Sequence, residues 1–243
     1  MGEHVQERYD MKKQKLTIEQ KRSDTDIGII SFVTLGVFLI YAILGNDLMR
    51  FVKNRDISVI PRLLLNAAVQ FGVAGLGITV VCILRKEKFS QYGLTNKNIG
   101  KAIFGTVICF VPNIVYALAS GQFHGYRPFS ILIADEVLSS GILASIIGMA
   151  LIVVVWGFFE GFNYAVICEK INKRYPGKNP WLDNGAIACA IVCVLFHPFS
   201  ISFWGILEIV TTMLAIYGML IVRKKTGNAW GCVFAFCFIW NAL

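Results

Sequence analysis

Apolar residues fall in long runs along this chain, separated by short polar stretches that carry most of its charge. Residues 1–26 are polar, with Arg8, Lys12, Lys13, Lys15, Lys21 and Arg22, and predict a cytosolic tail. That stretch is too long and mixed for the basic start of a cleaved signal, and the run after it is too long for a signal core. Apolar runs then occupy 27–45, 63–84, 99–119, 137–170, 185–203, 204–222 and 228–243. About 20 apolar residues cross the hydrocarbon layer as a helix. The pattern therefore predicts an all-α, polytopic transmembrane bundle of about seven spans over 27–243. The run 137–170 is about 50 Å long at helical rise, so it must tilt, bend near Gly157 and Gly161, or project from the bilayer. Pro112 predicts a kink in the third span, and Thr95 predicts a cap for the helix opening near Asn96.

Composition agrees with the pattern. The chain is 56% hydrophobic and only 16% charged, with a mean hydropathy of +0.63, where soluble domains carry about 25% charged residues. The net charge of +8 is spread beside the apolar runs, which offers no compact basic face to track phosphates and argues against nucleic acid as a partner. With the amino terminus inside, 18 Lys and Arg fall in cytosolic segments and 5 outside. This is the asymmetry of an integral membrane protein with a cytosolic amino terminus. It predicts a cell-membrane location with lipids as partners; nothing in the pattern fixes an oligomeric state. The seven cysteines lie in apolar runs without a CxxC pair and read as small buried hydrophobes. Of three histidines only His197 lies in a span, and there is no HExxH, so no metal or other cofactor is expected.

The stretch 156–170, WGFFEGFNYAVICEK, carries the costliest residue in the spans. Placing a carboxylate in hydrocarbon costs about 2.5 kcal/mol or more, and such groups usually face a bundle interior at functional sites. On a helix, Asn163 and Tyr164 share a face with Glu160. Counting inward from the cytosolic ends, Glu160 lies about 15 Å deep, and His197, Glu208 and Asn241 each about 20 Å deep. Four helices thus offer polar groups near one level. Pro198 frees a backbone carbonyl beside His197, as in the broken helices that line cavities. Glu160 could activate water as a general base. Asn241 and His197 could donate to the oxyanion of a tetrahedral intermediate. Structural hydrogen bonds between helices are the plainer explanation of the same residues. For Glu208 an approach to lipid headgroups is the plainer one.

The segment 85–243 resembles the CPBP family of glutamic intramembrane proteases (CAAX-prenyl-protease and bacteriocin-processing, also called Abi). KFSQYGLTNKN is similar to the family's surface segment. FEGFNY resembles its EExxxR motif, keeping Glu160. CVLFH resembles FxxxH, keeping His197 with Cys193 for the Phe. TGNAWGCVFAFCFIWN resembles the third motif, HxxxN, keeping Asn241 with Cys237 where the His would stand. The resemblance implies a helical bundle with a conical cavity, glutamate-activated water, and substrates such as prenylated C-terminal tails or bacteriocin and pheromone precursors. The second Glu, the Arg and the second His are absent. Glu208 is the candidate substitute for the lost carboxylate, and Tyr164 for the Arg.

Three functions follow as expectations. An intramembrane endopeptidase would use Glu160, His197 and Asn241 on a membrane-associated peptide. A non-catalytic relative would hold a hydrophobic peptide or lipid in the same cavity, consistent with the reduced motifs. A proton-coupled carrier would use the Glu and His as a relay, though no inverted repeat or paired broken helices accompany them.

Overall fold

The computed structural model describes residues 16–177, 179, 181–197 and 200–242. Among the described residues the fold is all-helical. The helices are α1 (Ile18–Lys53), α2 (Val59–Arg85), α3 (Ile99–Ala119), short α4 (Ala134–Ser139), α5 (Ile142–Arg174), α6 (Asn184–Leu195), α7 (Phe203–Thr226) and α8 (Trp230–Trp240). Five of them, α1, α2, α3, α5 and α7, are long and apolar enough to cross a membrane. The fifth and seventh expected spans are instead the shorter helices α6 and α8. The long helices turn apolar side chains outward: Phe32 is 80% exposed, Ile142 84% and Ile83 70%. Water would not tolerate such a surface on a monomer, whereas acyl chains do. The molecule is an integral membrane bundle.

Two expectations need correction. The polar tail is not a tail to residue 26. Thr17 and Gln20 form a reciprocal capping box, so α1 starts at Ile18, and Ser23 and Asp26 on its first turns are buried. Residues 1–15 of the expected tail lie outside the described residues. Nor does Thr95 cap α3. Asn98, with a left-handed backbone, precedes the helix, and the Thr95 hydroxyl accepts from the Lys97 N–H in the turn before it. Helix α3 runs unbroken through Pro112. Pro198 lies outside the described residues.

The main core lies among α3, α5, α7 and α8, where Phe110, Phe162, Ile216, Met219 and Phe236 are wholly buried. All seven cysteines are free, six buried and Cys109 half-buried. Close approach of α5 to α8 depends on two glycines. A Cβ on Gly161 would stand 2.5 Å from the Cys232 carbonyl oxygen and 3.0 Å from the Val233 Cα, and one on Gly157 would collide with the Cys237 sulfur. Small residues are what let membrane helices meet backbone to backbone. Gly161→Ala is therefore expected to destabilise the bundle by about 1–3 kcal/mol. Denaturant unfolding in detergent micelles checks this, and wild-type stability would contradict it.

At the basic end of the bundle, ion pairs join helices far apart in sequence. Lys170 Nζ on α5 donates to Asp26 Oδ2 on α1 at 2.7 Å and to Glu87 Oε2 after α2 at 2.8 Å, while Arg85 Nε reaches Asp26 Oδ1 at 2.6 Å. Tyr92 also donates to Glu87. Asp183 caps α6 through the Ala186 N–H at 2.8 Å and accepts from Lys224 and Asn172, each at 2.7 Å. Burial pushes the Glu87 carboxyl up, but Lys170 and Tyr92 outweigh it and hold it below its usual value. Asp183 is likewise lowered, burial being outweighed by Lys224, the Ala186 N–H and Asn172. Carboxyls with depressed folded values stabilise above their ordinary range and lose that contribution as pH falls through the folded value. The melting temperature should be level between about pH 7 and pH 5 and drop below about pH 4. A thermal-melt series over this range checks the prediction.

Candidate functional site

Glu160 opens the last α-helical part of α5, directly after a π-helical stretch, Val153–Phe159, that passes through Gly157. Two further π-helical stretches occur, and both adjoin the same region. Gly72–Leu76 follows Gln70 on α2, and Phe236–Trp240 precedes Asn241 on α8. Widened turns of this kind are concentrated at functional sites because they re-aim side chains within a continuous helix.

Glu160 lines a cavity of about 360 Å³ between α1, α2, α5 and α6, together with Asn66, Gln70, Asn163, Tyr164 and His197. Its Oε2 accepts from Gln70 Nε2 at 3.0 Å. The side-chain amides of Asn66 and Asn163 have no hydrogen-bond partner among the described residues and are available to a guest. Phe38 of α1 and Phe196 after α6 stack face to face at 4.6 Å on the wall of this chamber.

His197 follows the end of α6, where the helix stops at Leu195. Its Nδ1 lies 2.7 Å from the Cys193 carbonyl. A carbonyl only accepts, so Nδ1 carries the proton and Nε2 is left for water or a ligand. The imidazole meets the Trp240 ring edge to face at 5.2 Å. His197 lines the Glu160 chamber and also a second cavity of about 270 Å³ that holds Glu208. Among the described residues no hydrogen bond joins Glu160 to His197; they share only the lining of the chamber.

The remaining expected residues divide. Asn163 and Tyr164 line the chamber with Glu160, and the Tyr164 ring stacks on Phe236 at 5.3 Å. The Asn241 amide lies against the Glu160 carboxylate, while its Nδ2 donates to the Phe236 carbonyl at 3.3 Å. Asn241 is thus beside the catalytic candidate but not on the chamber wall. Glu208 is apart from Glu160, in the second cavity, accepting from the Tyr116 hydroxyl at 3.2 Å. Cys237 lines neither cavity and packs on Gly157, so its contribution is the close contact of α5 with α8.

Sequence reasoning overlooked Asn66 and Gln70. The signal was there: two amides at a spacing of four, inside the apolar run LLLNAAVQF, share one helix face. Comparison with models of known families, with curated proteins and with solved structures finds no match for this chain.

Proposed function

We propose that this chain is a glutamate-dependent intramembrane peptidase, a divergent relative of the CPBP proteases, held in the cell membrane with its amino terminus in the cytosol. The observation that carries the reading is the shared chamber, in which Glu160 of α5 and His197, just past the end of α6, line one space together with the polar side chains of Asn66, Gln70, Asn163 and Tyr164. In the proposed reaction Glu160 takes a proton from a water lying between it and His197, and the hydroxide attacks the scissile carbonyl. Gln70 fixes the carboxylate's orientation through its 3.0 Å hydrogen bond. His197 Nε2, an acceptor while Nδ1 holds the proton, positions the attacking water through that water's second hydrogen, and the free amides of Asn66 and Asn163 are the groups suited to steady the carbonyl oxygen as charge develops. The protonated carboxyl then returns its proton to the leaving amine.

The test is hydrolysis of a farnesylated C-terminal peptide and of a hydrophobic precursor-type peptide by the protein in liposomes, followed by mass spectrometry. A product that forms with wild-type protein and disappears with Glu160→Gln supports the reading. No product from either class, or product that survives Glu160→Gln, ends it.

A second reading, a cavity that holds a hydrophobic peptide without cutting it, is favoured by one feature. With Cys237 against Gly157, a second histidine at that position has no room. Saturable peptide binding that persists in Glu160→Gln, with no product, would select it.

A further inference from the structure

The second cavity contains a carboxylate that the proposed hydrolysis leaves unused. Among the described residues nine Asp and Glu side chains have a Lys or Arg within 4.0 Å. Asp56, in an exposed turn, is without one, and so are Glu160 and Glu208. Glu160 has the role given above. Glu208 sits on the sixth residue of α7, at the end of that helix away from Arg223, Lys224 and Lys225.

Its surroundings are built around it. Gln122 Nε2 donates to the Tyr116 hydroxyl oxygen at 2.9 Å, and Tyr116 passes its own hydrogen to Glu208 Oε2 at 3.2 Å. One carboxylate oxygen is thereby oriented and the other is left open. Asn113, His197, Thr212 and Trp240 complete the polar and aromatic lining, which contains no Lys or Arg. Trp204 stands 6.2 Å from the Tyr116 ring, extending the aromatic side. At about 270 Å³ the space is near the low end for small-ligand pockets, roughly 300–1,000 Å³.

A half-buried negative charge walled by aromatic rings selects its guest by elimination. An anion is repelled, and a neutral ligand leaves the half-buried carboxylate uncompensated. A hard divalent ion asks for more oxygen charge than one carboxylate supplies. An ammonium group satisfies both halves of the lining, by pairing with Glu208 and by lying near the Tyr116 and Trp240 rings that line the same space. We propose that the second cavity is a binding site for an ammonium group, supplied either by a lipid headgroup or by a peptide amine. This stands independently of the hydrolytic reading.

The experiment uses the full chain in nanodiscs of phosphatidylglycerol, which carry no ammonium of their own, with binding followed by saturation-transfer NMR. Choline and its neutral isostere 3,3-dimethylbutan-1-ol are compared on unaltered protein, so no variant needs to fold. Choline, or lysine methylamide in a parallel titration, should bind saturably and at least about tenfold more tightly than the neutral isostere. Preference for choline assigns a choline headgroup; if the primary amine is preferred, titration of short-chain phosphatidylethanolamine against lysine methylamide assigns an ethanolamine headgroup or a peptide amine according to which binds more tightly. Glu208→Gln should remove the preference and Glu160→Gln should retain it. Equal binding of choline, lysine methylamide and the neutral isostere, or a preference that survives Glu208→Gln, overturns the proposal.

Discussion

Glu160→Gln is expected to lower kcat for membrane-peptide hydrolysis by about a thousandfold, within the range attributed to a positioned general base. The substitution keeps the volume and the possibility of a hydrogen bond with Gln70, so the fold should persist while proton abstraction is lost. Binding should change far less, because the apolar walls and the amides of Asn66 and Asn163 remain. The loss should therefore appear in kcat rather than KM. His197→Ala should bring a similar loss, since it removes the other partner of the proposed water. Mass-spectrometric initial rates across a substrate series check both. A Glu160→Gln enzyme within tenfold of wild type would remove Glu160 from the chemistry.

The largest effect on stability is expected from Lys170→Met. Lys170 is 2% exposed and Asp26 1%, and the Lys170 ammonium lies between Asp26 and Glu87. Removing it leaves two carboxylates near one another, with Arg85 and Arg22 as the remaining cations. Taking one partner from a buried ion pair typically costs about 3–5 kcal/mol because the other charge is left uncompensated. Since Arg85 still reaches Asp26, about 3 kcal/mol is the expected loss. Adding Glu87→Gln to Lys170→Met should restore part of it, as one of the two opposed charges is gone. Unfolding curves of the single and double variants check this. Equal stability of Lys170→Met and wild type would contradict the role of the cluster.

Much of the bundle was legible because runs such as 99–119 have the length and composition a bilayer demands. The depth count also had physical content: Glu160 and His197 do face one chamber, and Asn241 lies beside Glu160. What the count could not give was azimuth. Glu208 instead lines another cavity with Tyr116, one that shares only His197 with the Glu160 chamber. Nor does residue spacing forecast π-helical stretches such as Val153–Phe159, within which Gly157 meets Cys237 of α8. The ion cluster was hidden for a related reason. A Lys or Asp beside an apolar run reads alike whether it meets water or a partner, and the partners of Lys170 are 144 and 83 residues away. The short α6 was misjudged as a span because an apolar run does not reveal that its helix stops at Leu195.

The central claim is that Glu160 on α5 and His197, just past the end of α6, share one wet space within the membrane layer. Its most direct test is thiol modification in native-like membranes. Single variants Glu160→Cys and His197→Cys are treated with a small charged methanethiosulfonate, and the double variant with a short bifunctional one, all scored above wild-type background. Ile146→Cys, whose position faces the lipid side, serves as the control. Labelling at both sites but not at the control, with intramolecular bridging in the double variant, is the predicted result. A Glu160→Cys protein that resists the charged reagent, or a double variant that reacts at each site but never bridges, would contradict the account.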